Sequence, residues 1–220
     1  LSTVISIVDV SAEDLYLPSR VVSLDYCADQ YGLKLLDRNR IAAVSADAGR
    51  DFSYMRHAAV GIKQVRSSAE SVLAMKPDFI VRSYGGGPNA TAFYSRLSLP
   101  VLQIAYTVTI DEVRAEILRI GRELGADYDP KSVVKDMDRR LHLANRSKLS
   151  KSLLYVTPGG LSSGPGSLVH ELIEAAGLTN FLSEPGWQPL PLEKLSLEQP
   201  EMLATAFFSH SVNHLNFWSS

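Results

Sequence analysis

The chain has 220 residues, of which 45% are hydrophobic and 21% charged, and this composition is typical of one large globular domain or two small lobes. It excludes a disordered or fibrous chain. The 22 Lys and Arg nearly balance the 24 Asp and Glu, for a formal net charge of −2, so the chain has no basic field to hold a polyanion. We therefore expect no nucleic-acid partner.

The cysteine content and the apolar runs narrow the class of protein further. Cys27 is the only cysteine, which excludes an intramolecular disulfide and a zinc site built from paired thiolates. The longest apolar runs, such as 203–208, fall far short of the ~20 residues of a membrane span. The sequence begins at Leu1 without a charged leader and apolar core, so we expect any export signal to have been removed from it.

Short β-branched runs alternate with helical patterns along the chain. The predicted strands are 20–24, 40–45, 79–83, 100–105, 152–157 and 204–209. Strands that are separated by helices predict parallel sheets. The sequence therefore indicates an α/β fold.

Four helices carry recognisable start or stop signals. Ser67 with Glu70 predicts a capping box for a helix over 67–76, and Ser167 predicts the cap of a helix over 167–176. Thr109 with Glu112 predicts a second capping box, for a helix over 109–124 with one apolar stripe that ends before Gly125. A further helix is predicted from Pro130, with Asp129 as its cap.

These elements predict two lobes and a connection between them. We expect an N-terminal α/β lobe over 1–107, a helical connection over 108–150 and a C-terminal α/β lobe over 151–220. Glu70 and Glu193 are each followed, seven residues later, by a proline and an acidic residue, and then by a predicted strand. This repeat favours two related lobes, although helix–Pro–strand junctions also recur by chance in α/β proteins.

One segment resembles an enzyme motif. Residues 160–164 satisfy the G-x-S-x-G pattern of a nucleophile elbow, with Ser162 as the nucleophile, and Tyr84-Gly-Gly-Gly could imitate an oxyanion loop. An elbow turns directly from strand to helix at the serine, whereas here prolines and glycines on both sides of Ser162 delay the helix. The pattern therefore favours two Gly-rich turns over a hydrolase site.

The histidines and glycines give no metal or nucleotide site. Of the five histidines only His210 and His214, which could also act as a base for Ser162, have metal-like spacing, and no carboxylate cluster accompanies them, so we interpret them as part of a solvated loop. No dinucleotide or P-loop glycine motif follows a predicted strand. We predict no catalytic residue, no metal ligand and no cofactor.

Aromatic residues and arginines collect at the carboxyl ends of the predicted strands, where open parallel sheets bind ligands. They are Tyr26, Arg50, Phe52, Tyr54, Arg56, Arg82, Tyr84 and, in a Gly-Trp loop of the second lobe, Trp187, and Arg66 is expected on a loop next to the same cleft. Two lobes that face each other would then form a cleft lined by planar faces and cations, suited to a large planar or chelate ligand with acidic groups. Single aromatics in loops are common, and some of these are expected to point elsewhere.

Several segments, in this order, resemble a known family. They are RVVSLDYCADQ (20–30), AESVLAMKPDFIV (69–81), LPVLQI (99–104), TIDEVRAEILRIGRELG (109–125), SGPGSLVHELIEAAGLTN (163–180) and GWQPLPLEKLSLEQPE (186–201). From about Arg20 to Ala206 the chain is similar to the periplasmic substrate-binding proteins of ABC importers that carry vitamin B12, ferric siderophores and haem. The resemblance implies two α/β lobes with parallel sheets, joined by a single long rigid helix at 109–124, with the ligand cleft between the lobes.

The resemblance also assigns residues. It implies that Glu70 and Glu193, one on each lobe, dock on arginines of a membrane permease dimer, and that Tyr84 and Trp187 stack on the ligand. The predicted ligand-binding set is Tyr26, Tyr54, Arg56, Arg82, Tyr84 and Trp187. Relatives usually continue well beyond the strand at 204–209, so the C-terminal lobe is expected to be incomplete or minimal, which leaves His210, His214 and Trp218 without a carried-over role.

These inferences predict a periplasmic or lipid-anchored extracytoplasmic binding protein, a monomer, that captures a metal chelate and delivers it to an ABC importer without chemistry on the ligand. A ferric siderophore or a corrinoid such as vitamin B12 is the leading ligand, ahead of haem. One rival is a protein of the same fold that binds bare Zn or Mn, which Tyr26 and Cys27 at the first strand end argue against. The other is a serine hydrolase that uses Ser162.

Overall fold

The computed structural model describes residues 17–145 and 150–206, which form two α/β lobes with a pair of helices between them in the chain. The strands are β1 (Val21–Ser23), β2 (Ile41–Ser45), β3 (Gln64–Val65), β4 (Phe79–Arg82), β5 (Val101–Gln103), β6 (Ser152–Val156), β7 (Leu161–Ser163), β8 (Thr179–Asn180), β9 (Trp187–Pro189) and β10 (Met202–Thr205). The helices are α1 (Tyr26–Leu35), α2 (Ala69–Leu73), α3 (Ala90–Arg96), α4 (Ile110–Leu124), α5 (Pro130–Asn145), α6 (Leu168–Ala175) and α7 (Leu192–Leu197). Within these ranges, no helix combines the length and the apolar character needed to cross a membrane.

The N-terminal lobe is built on a five-stranded parallel sheet in the order β3-β2-β1-β4-β5. Consecutive residues of β1 face opposite sides, so Val21 packs with α1 and α4, and Val22 packs with α2 and α3. Ile120 and Leu124 bring α4 into the first of these two cores, where both are fully buried. A sheet buried on both faces explains why its strands are continuous hydrophobic runs.

The capping box predicted for α4 is confirmed. The Thr109 hydroxyl accepts from the Glu112 backbone N–H, the Glu112 carboxylate accepts from the Thr109 backbone N–H, and Gly125 ends the helix at φ 54°. Helix α5 begins at Pro130 as predicted. The start of α5 packs closely on α4 at Gly121. A Cβ at this position would lie 2.1 Å from the Pro130 side chain, so a larger residue would not fit there without a shift.

The cap predicted for α2 is wrong by one residue. Ser68, not Ser67, is the N-cap, and its hydroxyl accepts from the Ser71 backbone N–H, so Glu70 is not part of a capping box. Adjacent serines leave the pattern ambiguous, and the local backbone selects the second one. The helix is also shorter than predicted, and Glu70 is exposed on it.

Over residues 150–206 the C-terminal lobe forms a three-stranded parallel sheet in the order β10-β6-β8 and a separate antiparallel pair, β7 with β9. The antiparallel pair was not predicted: the stretch interpreted as a Gly-rich turn contains β7, and Trp187 lies on β9 and not in a loop. The last predicted strand begins two residues earlier than expected, at Met202, and residues 207–209 of that prediction lie outside the described part of the chain.

The two lobes share a topology. In each lobe the first strand lies in the middle of three parallel strands. Its neighbours are β2 and β4 in the N-terminal lobe, and β8 and β10 in the C-terminal lobe. Helix α2 leads into β4, and α7 leads into β10, so Glu70 and Glu193 occupy equivalent short helices. This equivalence agrees with the repeat that the sequence shows around the two glutamates.

Candidate ligand-binding site

A buried carboxylate organises the upper edge of the N-terminal sheet, where β1 and β4 end. Asp25 follows β1 and caps α1, and its Oδ1 accepts from the Ala28 backbone N–H at 2.9 Å. Its Oδ2 accepts from three consecutive backbone N–H groups, those of Ser83, Tyr84 and Gly85, at 2.7, 3.1 and 2.8 Å. Asp25 therefore ties the start of α1 to the loop after β4.

This loop presents Tyr84 to solvent. A Cβ on Gly85 would lie 2.3 Å from the Leu24 carbonyl oxygen, so only glycine allows the loop to approach β1 so closely. The Tyr84 side chain is 58% exposed. Partial burial and then the nearby Cys27 and Asp25 raise the pKa of Tyr84 to about 12, so its phenol is neutral at physiological pH.

Tyr26 stands beside Tyr84 at the first turn of α1. Its ring meets the ring of Phe52 edge to face, with centroids 5.6 Å apart. Burial raises the pKa of Tyr26 and, together with the charges of Asp25 and Asp29, raises the pKa of the Cys27 thiol to about 11. The N-terminal edge thus offers two neutral phenols and a neutral thiol.

Arg82 is placed differently from the other predicted ligand-binding residues. It is only 6% exposed, and its guanidinium donates to the Thr91 hydroxyl at 2.9 Å and to the Gly87 carbonyl at 3.0 Å. These bonds brace the glycine loop from within. The structure thus gives Arg82 a supporting position under the loop, and its contact with a ligand stays a prediction.

The loop after β2 carries Tyr54 and Arg56. Tyr54 is 71% exposed, and its hydroxyl accepts from Arg140 of α5 at 3.4 Å, while Arg56 donates to the Ser53 carbonyl at 3.3 Å. Tyr54 is therefore directed toward α5. Arg50 and Arg66 are exposed.

In the C-terminal lobe the predicted aromatic has a partner that the sequence did not reveal. Trp187 on β9 is 49% exposed, and its ring lies edge to face against Tyr155 of β6, with centroids 6.1 Å apart. Burial raises the pKa of Tyr155.

Sequence reasoning also missed Asp25, although an aspartate between a strand and a helix is the usual signal of an N-cap.

Comparison with known proteins identifies the family. The family model described as periplasmic binding protein matches residues 21–206. The chain belongs to the periplasmic binding protein family. A search of curated proteins finds no match.

Solved structures agree with this binding-protein fold at low sequence identity. The periplasmic haem-binding protein RhuT from Roseiflexus sp. RS-1 aligns with a TM-score of 0.71 and 19% identity, over 90% of this chain and 81% of its own. The vitamin B12 binding protein BtuF of Vibrio cholerae gives 0.61 and 19%, over 92% and 82%. A protein of an ABC-type Fe³⁺-hydroxamate transport system from Saccharomonospora viridis DSM 43017 gives 0.64 and 18%, over 91% and 78%.

The geometry of this periplasmic binding protein disfavours the serine-hydrolase function. Ser162 is fully buried on β7, its hydroxyl has no hydrogen-bond partner, and α6 begins only at Leu168, so there is no strand-to-helix elbow at the serine. Among the described residues, no group of three or more His, Cys, Asp or Glu is arranged to hold a bare metal ion. His210, His214 and Trp218 lie outside the described residues.

Proposed function

We propose that this protein is the extracytoplasmic solute-binding component of an ABC importer, and that its cargo is a metal chelate: a ferric siderophore or a corrinoid, with haem as the third class. It binds and releases its ligand without chemistry. Family membership carries the solute-binding role, because the match spans residues 21–206. The chelate is supported by the names of the structural neighbours, which are proteins for haem, vitamin B12 and Fe³⁺-hydroxamate.

The observation that favours a large planar or chelate cargo is one supported aromatic face in each lobe. The backbone N–H of Tyr84 donates to the Asp25 carboxylate, which fixes the loop that carries this ring. Trp187 is fixed by the antiparallel pairing of β9 with β7 and by ring contact with Tyr155. Both side chains remain about half exposed, so each has a free face for stacking. In this proposal the ligand lies between the two edges and contacts both rings.

The charge at the N-terminal edge helps to separate the ligand classes. An anionic ferric chelate would need at least one cation, and Arg50, Arg56 and Arg66 are the candidates outside the braced Arg82. A corrinoid would need them much less. Alanine at all three positions should therefore weaken binding of a ferric siderophore and leave that of a corrinoid nearly unchanged.

The cargo can be identified directly. We expect native mass spectrometry and an absorbance spectrum of the protein, purified from its own host, to show a retained ferric complex, corrin or haem. Retention of a sugar, an amino acid or bare zinc would contradict the chelate proposal.

The permease partner can be tested through the equivalent glutamates. Glu70 and Glu193 are exposed on short helices of the two lobes, where each could engage one half of a dimeric permease. A single exposed ion pair contributes only about 0.2–1 kcal/mol, but two tethered contacts act more than additively. The Glu70→Lys/Glu193→Lys variant should therefore lose uptake in cells and binding to the reconstituted permease, with unchanged ligand affinity.

A matched control for this test is Glu123→Lys/Glu174→Lys. Both of these glutamates are also exposed, but they lie on the longer helices α4 and α6. The control makes the same change in net charge and should support normal uptake. Normal uptake by the Glu70 and Glu193 double variant, or equal loss in the control, would refute the docking role.

A further inference from the structure

A groove runs between α1 and α5 on the N-terminal lobe. Two cavities open along it, with volumes of about 360 and 420 Å³, and both are lined by Lys34, Met55 and Val133. Each volume is in the range of about 300–1,000 Å³ that is typical of small-molecule sites. Neither Tyr26 nor Tyr84, which form the N-terminal edge of the proposed cleft, lines the groove.

The first cavity has mainly apolar walls. They include Leu35 from α1, Ile117 from α4 and Met137 from α5. The polar Gln30 is already satisfied, because its amide donates to the Ser53 hydroxyl and the Tyr26 carbonyl and accepts from the Met55 N–H. Tyr31 is neutral, since burial raises its pKa to about 12. This cavity is suited to a hydrocarbon chain.

The rim of the groove carries excess positive charge. Three cations line the two cavities, Lys34, Arg38 and Arg140, against one carboxylate, Asp136. That carboxylate is already held by Arg140 at 2.8 Å and by Arg139 at 2.6 Å. Among the residues that the structure describes, Arg38 donates to the neutral carbonyls of Ala58 and Val60 alone, so its charge is not compensated by these bonds.

Lys34 occupies the junction of the two cavities. It is exposed and makes no hydrogen bond or ion pair within the described part of the chain. An ammonium group beside an apolar chain site can hold an anionic head group while the chain leaves water. Apolar walls with a cationic rim therefore match an amphiphilic anion with a single chain.

We propose that this groove binds one fatty acid. Its chain lies in the first cavity, between Leu35, Ile117 and Met137, and its carboxylate lies at Lys34, at the entrance of the second cavity near Arg38. The site does not depend on the proposed cargo, and it shares Tyr54, but not Tyr26 or Tyr84, with the predicted ligand-binding set. Its occupation would bridge the N-terminal lobe and α5.

The test is calorimetry of the full chain with laurate, kept below its critical micelle concentration. We expect one laurate per chain and weaker binding of the uncharged methyl laurate, which cannot pair with Lys34 or Arg38. Lys34→Gln should weaken laurate binding about two- to fivefold, the range of one exposed ion pair, whereas Lys135→Gln, an exposed lysine of α5 outside the groove, should not.

A second pair of variants tests the chain site. Val133→Phe fills the wall shared by both cavities and should weaken laurate binding by about tenfold or more, while Ala144→Phe, at an exposed position of the same helix, should leave it unchanged. Thermal unfolding should show that both variants remain folded. Tyr84→Ala should bind laurate as the wild type does.

Several outcomes would overturn this proposal. Equal affinity for laurate and methyl laurate would remove the carboxylate site, and loss of binding in Tyr84→Ala but not in Val133→Phe would move it to the cleft. Binding to phosphatidylglycerol vesicles without any binding of laurate would indicate a membrane surface. Laurate binding that appears only after deletion of residues 1–16 would show that this segment of the chain occupies the groove. A dimer that dissociates when laurate binds would show that a second copy of the chain occupies it.

Discussion

The N-terminal lobe has a buried carboxylate where the C-terminal lobe has a hydroxyl. Asp25 caps α1 and also accepts from three backbone N–H groups of the loop after β4. Ser167 caps the equivalent α6, where its hydroxyl accepts from the His170 N–H at 3.2 Å and donates to the Gly164 carbonyl at 2.8 Å. The first cap binds two segments together, whereas the second satisfies one helix end.

In the described part of the chain, the sheet of the N-terminal lobe is also the larger of the two. Within residues 17–145 and 150–206, the N-terminal lobe has five parallel strands with cores on both faces. The C-terminal lobe has three parallel strands there, with one core cluster of Leu154, Val156, Phe181 and Leu182. The C-terminal edge instead takes its support from the β7–β9 pair. The two lobes thus hold their aromatic residues by different means. The charged cap Asp25 holds the loop of Tyr84, and the added strand pair holds Trp187.

The largest expected effect comes from removing the charged cap. Asp25→Ala leaves three loop N–H groups and a helix end without their acceptor, and should lower the free energy of unfolding by about 3–5 kcal/mol. Ser167→Ala should cost only about 1 kcal/mol. Urea unfolding measures both, with Asp47→Ala, an exposed carboxylate at the same sheet edge, as control. Equal losses for Asp25→Ala and Ser167→Ala would remove the contrast between the lobes.

The parts that the sequence predicted have local signals. The box of Thr109 and Glu112 lies within four residues, and the N-terminal strands are continuous apolar runs. The unpredicted parts depend on distant partners: Asp25 meets the Ser83 loop far along the chain, and β7 is a strand only because Trp187–Pro189 pairs with it. The inward position of Arg82 likewise depends on how its own loop folds back onto Thr91.

A smaller effect is expected on ligand affinity when either aromatic face is removed. Measuring the two alanine variants compares the contributions of the two lobes. Tyr84→Ala and Trp187→Ala should each cost about 2 kcal/mol, roughly thirtyfold in affinity, because each removes one stacking face. Tyr84→Phe keeps the face and should bind nearly as well as the wild type. Calorimetry with the chelate identified from the host measures all three. Unchanged affinity in both alanine variants would place the ligand elsewhere.

The smallest expected effect concerns the helix that follows the N-terminal sheet, and it depends on pH. Hydrogen bonds from Arg119, and one from the Ala105 backbone N–H at 2.7 Å, lower the pKa of the buried Glu116 carboxyl below its usual value. Because the folded-state pKa is depressed, this stabilisation is fully present above the pKa of the unfolded chain and is lost as the pH falls through the folded-state pKa. Glu116→Gln should therefore lower the free energy of unfolding by about 1 kcal/mol at pH 7, and the difference from wild type should shrink in acid.

Glu123 provides the matched control, because it pairs with the same arginine at 2.6 Å but is exposed to solvent. Glu123→Gln should change the free energy of unfolding by less than about 0.5 kcal/mol. Urea unfolding of the wild type and both variants, at a series of pH values from neutral to acid, separates the two contacts. A constant difference between wild type and Glu116→Gln across that series would show that the carboxylate charge of Glu116 does not stabilise α4. In that case the loss would come from the different shape and hydrogen-bonding atoms of the amide and not from the lost charge, and the contrast between charged and neutral contacts would not extend beyond Asp25.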